Sequence, residues 1–342
     1  MDLIHVIPNL KNGGAENMLV NLALQLYKRG YKQSIITFKN SKEDFNFSKL
    51  NKQILILNLK TDKKKSLKIL KETTAPVILW MYTSILKFEF LKLKYKLNNQ
   101  YFWNIRHSDF GSLQIKQKIG LYFLGIVSNI TNSRIIYCSF KSKLVHENYF
   151  FKKTHSYVIQ NRLAKLPPAK INKLDYDFIL FVGRKNPQKG PEHLKEILFN
   201  ILKAQPNFKV LILGSGWSLD YFNEEIQDKI ILITAAENVF DYYASAKCLL
   251  YTSLYGEGYP NIIAEGMIMG VPIVGYNTGD FNLMIQNYDL GETVSNKDEF
   301  SKRVLNIINN QPSNQRITSA INKITPELYF DKTINSYIDI LF

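Results

Sequence analysis

The chain has 342 residues, of which 46% are hydrophobic, 21% charged and 13% aromatic. That balance buries a core and excludes a disordered chain, and the length exceeds what one core usually organises, so two domains are expected. A formal net charge of +15 makes the surface basic and suits an anionic partner: a phosphorylated substrate, anionic lipid headgroups or nucleic acid.

The opening residues MDLIHVIPNL carry none of the three regions of a secretory signal. Cys138 and Cys248 fall in apolar runs that read as buried strands, where a thiol is a small core hydrophobe. A reducing cytoplasm is the expected compartment. The uncharged run 119–133 contains Ser and Asn and falls short of the ~20 apolar residues a span requires, so no transmembrane helix is expected.

Short β-branched and aromatic runs alternate with helical windows from the first residue onward, the pattern of an α/β protein with parallel sheets. The strands expected in the first half are LIHVI, QSIITF, QILILNL, VILWMY, YFWNI, RIIYCS and SYVIQ. Between the first two, residues 15–30 place Leu19, Leu22, Ala23 and Leu26 on one helical face and stop at Gly30. Residues 90–97, FLKLKYKL, alternate like an exposed strand, but they stand between two strands, and a basic crossover helix is expected there. After NRLAKLPPAKINKLD the pattern restarts with FILFVG, FKVLILG, KIILIT, KCLLYTS and VPIVGY. The prolines Pro167 and Pro168 are therefore read as the linker between two doubly wound domains.

In open α/β sheets ligands bind beyond the carboxyl ends of the strands. FVGRKNPQKG puts Arg184 at a strand end and Lys189 in the loop before a helix, two cations suited to a phosphate or diphosphate. LILGSGW brings Gly214 and Gly216 after another strand, where backbone can approach a ligand closely. It lacks the spacing and the later acid of a dinucleotide fingerprint. EGYPNIIAE, residues 257–265, follows CLLYTS. Pro260 suits the first helical position, which sets Glu257 ahead of the helix and Glu265 just over one turn inside it. Amides near Tyr259 to Asn261 would welcome an anion. Carboxylates beside a phosphate site serve as acceptors for hydroxyls, so a ligand with both phosphates and hydroxyls, a nucleotide sugar, fits.

Residues 178–279 resemble the donor domain of retaining GT-B glycosyltransferases of family 4, in VGRKNPQKG, LGSG, NVFDYYASA from Asn238 and the E-x7-E element EGYPNIIAE. The resemblance implies α/β architecture of the GT-B kind, two doubly wound Rossmann-like domains facing a central cleft. It implies that Arg184 and Lys189 hold the diphosphate, Glu265 the ribose and Glu257 the hexose, with Gly14, Gly214, Gly258, Tyr259, Pro260 and Asn261 also on the donor side. The segment from Glu237 through Asn238 to Val239 would lie near the nucleobase. NLKNGGAE resembles the glycine-rich loop after the first strand and NIRHSDF a later acceptor-domain loop, which makes Asn12, Gly13, Gly14, Arg106 and His107 acceptor-side residues. His107 would act in catalysis, with Arg184, Lys189 and Glu257. ELYFDKTINSYIDILF resembles a terminal helix that crosses back, so the expected domains are 1–168 for the acceptor, 169–325 for the donor, and a return helix 326–342.

There are departures. AEGM replaces the commoner Glu-Ala, NTGDFNLMI lacks the usual following glutamate, and Arg162 stands where the linker often has glycine. DYD, residues 175–177, precedes a strand at the wrong end of the sheet for a metal site, so no catalytic metal and no cofactor are expected. The implied activity is metal-independent, retaining transfer of a hexose or N-acetylhexosamine from a UDP-sugar to a glycan or lipid-linked saccharide in bacterial surface-polysaccharide assembly. The lysine-rich 90–97, TDKKKSLK and IKQKIGLYFLGIV suit peripheral contact with an anionic inner membrane. An epimerase of the same fold would need no acceptor. A nucleic-acid-binding protein would leave Glu257 and Glu265 without a purpose, and no nucleic-acid motif is readable.

Overall fold

The computed structural model describes residues 1–11, 13–108, 111, 115–162, 176–234, 236, 238–286, 288 and 290–342. The chain divides into two compact units, one of Met1–Ser108, Leu113–Asn161 and Thr333–Phe342, the other of Asp109–Ser112 and Arg162–Lys332. The proline linker and the expected boundary at 168 lie outside the described residues.

The first unit is built on β1 (Leu3–Ile7), β2 (Gln33–Thr37), β3 (Leu55–Asn58), β4 (Val77–Trp80), β5 (Tyr101–Ile105), β6 (Arg134–Tyr137) and β7 (Ser156–Val158). All are parallel, in the order β3-β2-β1-β4-β5-β6-β7. β1, β2, β4 and β5 are buried along their whole length, which is why they read as continuous apolar runs rather than alternating ones: helices cover both faces. One polar relay crosses this core. Trp80 donates to His5 Nδ1 at 3.2 Å, His5 Nε2 pairs with Gln33 Oε1 at 3.0 Å, and Gln33 Nε2 donates to the Ala23 carbonyl at 2.9 Å. With Nδ1 accepting, the imidazole proton sits on Nε2, and burial lowers the His5 pKa to about 4. The relay fixes β4, β1, β2 and the first helix to one another.

That helix spans Gly14–Lys28, with Leu19, Leu22, Ala23 and Leu26 buried, and the chain leaves it through Gly30 at φ 90°. β4 ends at Trp80, earlier than expected, because the helix Met81–Tyr95 starts at once, with Met81 at φ 70° turning the chain. Residues 90–95 are thus helical, and Lys96 at φ 53° terminates the helix in the left-handed conformation.

The second unit holds β8 (Phe178–Val182), β9 (Lys209–Leu213), β10 (Ile230–Ile233), β11 (Cys248–Tyr251), β12 (Ile273–Tyr276) and β13 (Gly291–Val294). They are parallel, in the order β10-β9-β8-β11-β12-β13. β13, GETV, is a strand that its polar composition did not announce. The helix Pro191–Ala204 opens with proline and buries Leu194, Ile197, Leu198, Ile201 and Leu202, an i, i+3, i+4, i+7, i+8 stripe facing the sheet.

The chain then runs through helix Asn314–Leu328, whose Ala320, Ile324 and Leu328 belong to the second core. It bends at Tyr329 and continues as helix Phe330–Leu341. The return to the first unit comes at Thr333, later than the expected 326, because Leu328 still packs in the second core. Within the first unit Thr333 donates to the Gln160 carbonyl at 2.8 Å, Asn104 donates to the Tyr337 hydroxyl at 3.0 Å, and the rings of Tyr31 and Phe342 stack 4.8 Å apart.

Candidate functional site

In the second unit the chain proceeds from β8 outward to β10, then returns and proceeds outward again from β11 to β13. β8 and β11 are therefore the pair at which the winding direction reverses, the position beyond whose carboxyl ends open α/β sheets bind ligands. Both lead motifs of the sequence sit in the loops that follow these two strands.

The β8 loop is held by its own chemistry. Asn186 caps a single turn, accepting from the Lys189 amide at 3.1 Å, and Gly190 at φ 61° re-aims the chain into the helix Pro191–Ala204. A Cβ on Gly190 would stand 2.6 Å from the Thr252 carbonyl, so the loop lies against the β11 loop. Two further bonds join them: Leu254 N to the Gln188 carbonyl at 2.8 Å, and Thr252 Oγ1 to the Lys189 carbonyl at 2.7 Å.

Across this seam the Lys189 ammonium donates to Glu257 Oε1 at 2.6 Å. The same oxygen accepts from Gln188 Nε2 at 3.0 Å and Ser253 Oγ at 3.2 Å. All three bonds fall on Oε1, which leaves Oε2 without a hydrogen-bond partner among the described residues. Arg184 is exposed and takes no hydrogen-bond or ion-pair partner among the described residues. Behind Glu257, Gly279 at φ 61° lies so close that a Cβ would stand 2.5 Å from the Gly258 carbonyl and 2.7 Å from that of Glu257.

Glu265 lies in helix Asn261–Ile268. Pro260 is the residue before the helix rather than its first, because its ψ of 106° is still extended, and no side chain caps the first turn. Ile263 N–H donates to the Pro260 carbonyl at 3.0 Å, which leaves the amides of Asn261 and Ile262 for another acceptor. Glu265 Oε2 accepts from the Tyr243 hydroxyl at 2.9 Å. Burial raises the Glu265 pKa above the ordinary carboxylate value, and the Tyr243 bond opposes that shift. Gly258, Tyr259 and Pro260 are buried and Asn261 is exposed.

Other predicted residues have local duties. Gly214, at φ 150°, would with a Cβ meet the Gly183 carbonyl at 2.2 Å, so its missing side chain lets the β8 and β9 loops pack; Trp217 also donates to the Gly183 carbonyl at 2.8 Å. Asn238 Nδ2 donates to Asp241 Oδ1 at 2.9 Å and Val239 lies against the core, while Glu237 is outside the described residues. Of the acidic pair 175–177, Asp175 is outside the described residues and Asp177 pairs with Lys247 at 3.3 Å. Among the described residues no group of three or more His, Cys, Asp or Glu could hold a metal.

In the first unit the winding reverses between β1 and β4, and the glycine-rich loop follows β1. Gly13 precedes the helix Gly14–Lys28, and a Cβ on Gly14 would meet nothing within 4 Å. Asn12 is outside the described residues. His107 is exposed beyond the end of β5, and its carbonyl accepts from Ser142 Oγ at 2.5 Å. Arg106 turns inward: it donates to Asn161 and its guanidinium lies 5.8 Å from the Trp80 ring centroid. Sequence reasoning did not single out Tyr243, Gln188 or Ser253. Gln188 was in view, inside NPQKG, one residue from the lysine it accompanies.

Residues 165–323 match the model of the family described as Glycosyl transferases group 1. An uncharacterized glycosyltransferase of Haemophilus influenzae is 27% identical over 281 residues, 78% of this chain and 77% of that protein. A Campylobacter jejuni alpha-1,4-N-acetyl-D-galactosaminyltransferase, named for a GalNAc-alpha-(1->4)-GalNAc-alpha-(1->3)-diNAcBac-PP-undecaprenol, is 25% identical over 317 residues, 84% of this chain and 83% of that one. In architecture the chain is similar to HepE of Anabaena, solved in complex with UDP, with a TM-score of 0.82 over 100% of this chain and 99% of that one. Identity there is 15%, so that likeness is one of fold. The two parallel-sheet Rossmann-like units are those of the GT-B fold, and with residues 165–323 matching the glycosyl transferases group 1 model, the chain is a glycosyltransferase.

Proposed function

We propose that the enzyme transfers a hexose or N-acetylhexosamine from a nucleotide sugar, with UDP as the carrier, to a saccharide acceptor of the lipid-linked kind, with retention of anomeric configuration and without a catalytic metal. The observation that carries this reading is the Lys189–Glu257 pair at the point where the second sheet reverses its winding. Cation and carboxylate are held together there, one suited to a diphosphate and the other to sugar hydroxyls.

In this reading Lys189, Arg184 and the uncapped start of helix Asn261–Ile268 take up the charge that develops on the departing diphosphate. Glu257 keeps Oε1 on Lys189 and offers Oε2 to the sugar, while Glu265 accepts from the ribose. No side chain is assigned as a nucleophile. The acceptor hydroxyl attacks the face the diphosphate leaves, the new glycosidic bond forms as the anomeric carbon–oxygen bond breaks, and the leaving phosphate takes the acceptor proton. His107 orients the acceptor. HepE, which has also been solved with UDP-glucose, and the undecaprenol-linked acceptor named for the Campylobacter relative support the carrier and the acceptor class. Assembly of a surface polysaccharide at the cytoplasmic face of a membrane is the setting that follows.

The test is incubation with a panel of UDP-, GDP- and ADP-sugars and undecaprenyl-diphosphate saccharides in chelator-containing buffer. The anomeric configuration of the product is read by NMR. Retention with a UDP-sugar is expected. Inversion, a trapped glycosyl-enzyme adduct or an absolute metal requirement contradicts the reading.

A further inference from the structure

A helix packed on a sheet ordinarily buries an apolar stripe and exposes a polar one. The short helix Phe140–Glu147, which follows β6, does the reverse: Phe140 and Leu144 are 55% and 56% exposed, while its buried residues are Ser142 and His146. With the N-cap Ser139 they form an S-x2-S-x3-H set along SFKSKLVH, all three fully buried. Buried polar groups cost free energy unless hydrogen bonds satisfy them, so the partners of this face account for it.

The bonds run in one direction. Ser139 Oγ accepts from the Ser142 amide at 2.9 Å, which fixes the start of the helix. His146 Nδ1 lies 2.7 Å from the Ser142 carbonyl; a carbonyl can only accept, so the imidazole proton is on Nδ1 and Nε2 is the acceptor. The Tyr82 hydroxyl donates to that Nε2, and Ser142 Oγ in turn donates to the His107 carbonyl at 2.5 Å. Burial keeps the imidazole neutral, its pKa lowered to about 4. The rings of Tyr82, Tyr137 and Phe151 lie 6.0, 5.5 and 5.0 Å from its own and hold its orientation.

Tyr82 stands just beyond the carboxyl end of β4, helix Phe140–Glu147 beyond that of β6 and His107 beyond that of β5, and these strands are neighbours in the order β4-β5-β6. The network thus gathers three strand ends on the edge where open α/β sheets bind ligands, and it terminates on the backbone of the exposed His107. Main-chain bonding between the β5 and β6 segments reaches as far as Cys138 N–H on the Ile105 carbonyl, at 3.1 Å. Two residues on, Ser142 adds a hold at His107. A hydrogen bond to a carbonyl fixes its peptide plane, and with it the direction in which the side chain of that residue leaves the backbone.

We propose that Ser142, oriented by His146 and Tyr82, is a positioning residue for the transfer reaction: it sets the His107 backbone so that the imidazole meets the acceptor saccharide in one orientation. The proposal rests on the reading above in which His107 orients the acceptor. Lys189, Glu257 and Glu265 belong to the second unit, so the effect falls on acceptor use rather than on the donor.

The experiment compares the full chain with Ser142→Ala, Ser142→Thr, His107→Ala and the double variant S142A/H107A, in transfer from a UDP-sugar to an undecaprenyl-diphosphate saccharide, with the melting temperature of each recorded. Ser142→Ala should raise the acceptor KM about tenfold while the donor KM stays within about twofold. Ser142→Thr, which keeps the hydroxyl, should recover most of that loss, and adding Ser142→Ala to His107→Ala should change nothing further. In histidine-selective NMR, which needs no substrate, the His107 ring signals should shift or broaden in Ser142→Ala while those of His5 stay in place. An unchanged acceptor KM in Ser142→Ala beside an impaired His107→Ala, or unmoved His107 signals, would overturn this inference alone. Full activity in His107→Ala would overturn it together with the role given to His107. An equal loss with and without His107, or a Thr variant no better than Ala, would make Ser142 a structural residue and overturn the inference as well.

Discussion

Lys189 and Glu257, 68 residues apart in sequence, are joined by a 2.6 Å charge-assisted hydrogen bond with their side chains 18% and 14% exposed. Removing either member leaves the other a poorly solvated charge. In a double-mutant cycle, Lys189→Met and Glu257→Gln should be less destabilising together than the sum of the singles, with a coupling of about 0.5–3 kcal/mol by urea denaturation. Strict additivity would mean the pair is not formed in solution. In turnover at saturating donor, Lys189→Ala should cost about two orders of magnitude, the effect of removing one donor from a developing anion.

Glu265 is raised above the ordinary carboxylate range by burial, and Tyr243 opposes that shift. For an acid with a raised native pKa the protonated form favours the fold, so its contribution to stability is full below the unfolded value and is lost as pH rises through the raised one. Hydroxyl acceptance needs the carboxylate, so UDP affinity should increase with pH across the same window. Tyr243→Phe should move that increase to higher pH, read by calorimetric titration at a series of pH values. An unmoved profile would detach Tyr243 from the function of Glu265.

Two glycines in predicted loops separate structural from functional need. Gly279 has φ 61° and backbone 2.5 Å from any added Cβ, so Gly279→Ala should lower the melting temperature and loosen the Glu257 loop; the left-handed conformation alone costs about 1–2 kcal/mol. Gly14 begins a helix with nothing within 4 Å of a Cβ, and Gly14→Ala should leave the fold as stable or up to about 1 kcal/mol more so. If that loop approaches the reacting groups, the same variant loses activity. A fully active Gly14→Ala enzyme would remove the loop from the site.

The buried His5 and His146 are both lowered to about 4 by desolvation. A histidine depressed in the native state stabilises the fold above its unfolded value of ~6.5, and that contribution is lost as pH falls toward the native one. The urea midpoint should therefore decline between pH 6.5 and 4, with both imidazoles still neutral by NMR at pH 5. Protonation of either near pH 6.5 would contradict the burial described for it.

The strand-end motifs were legible because a parallel sheet announces itself as apolar runs, and the residues just past each run are the ones that can meet a ligand. Arg184, Lys189, Glu257 and Glu265 were singled out that way. Less legible were features set by the chain meeting itself. GETV has too little apolar content to mark β13, an edge strand. Tyr243 reads as one more aromatic in NVFDYYASA, and only the packing of its short helix on Asn261–Ile268 brings its hydroxyl to Glu265. Arg106 stood in a loop motif beside His107, but its guanidinium is tied to Asn161 and Trp80, a partnership with no local signal.

The most direct test of the central claim is calorimetric titration of UDP into the intact protein and into Glu265→Ala, in metal-free buffer. The parent should show saturable one-site binding and the variant at least a tenfold loss, with the fold retained. Binding of equal affinity in both, or none in the parent with or without magnesium, would contradict it.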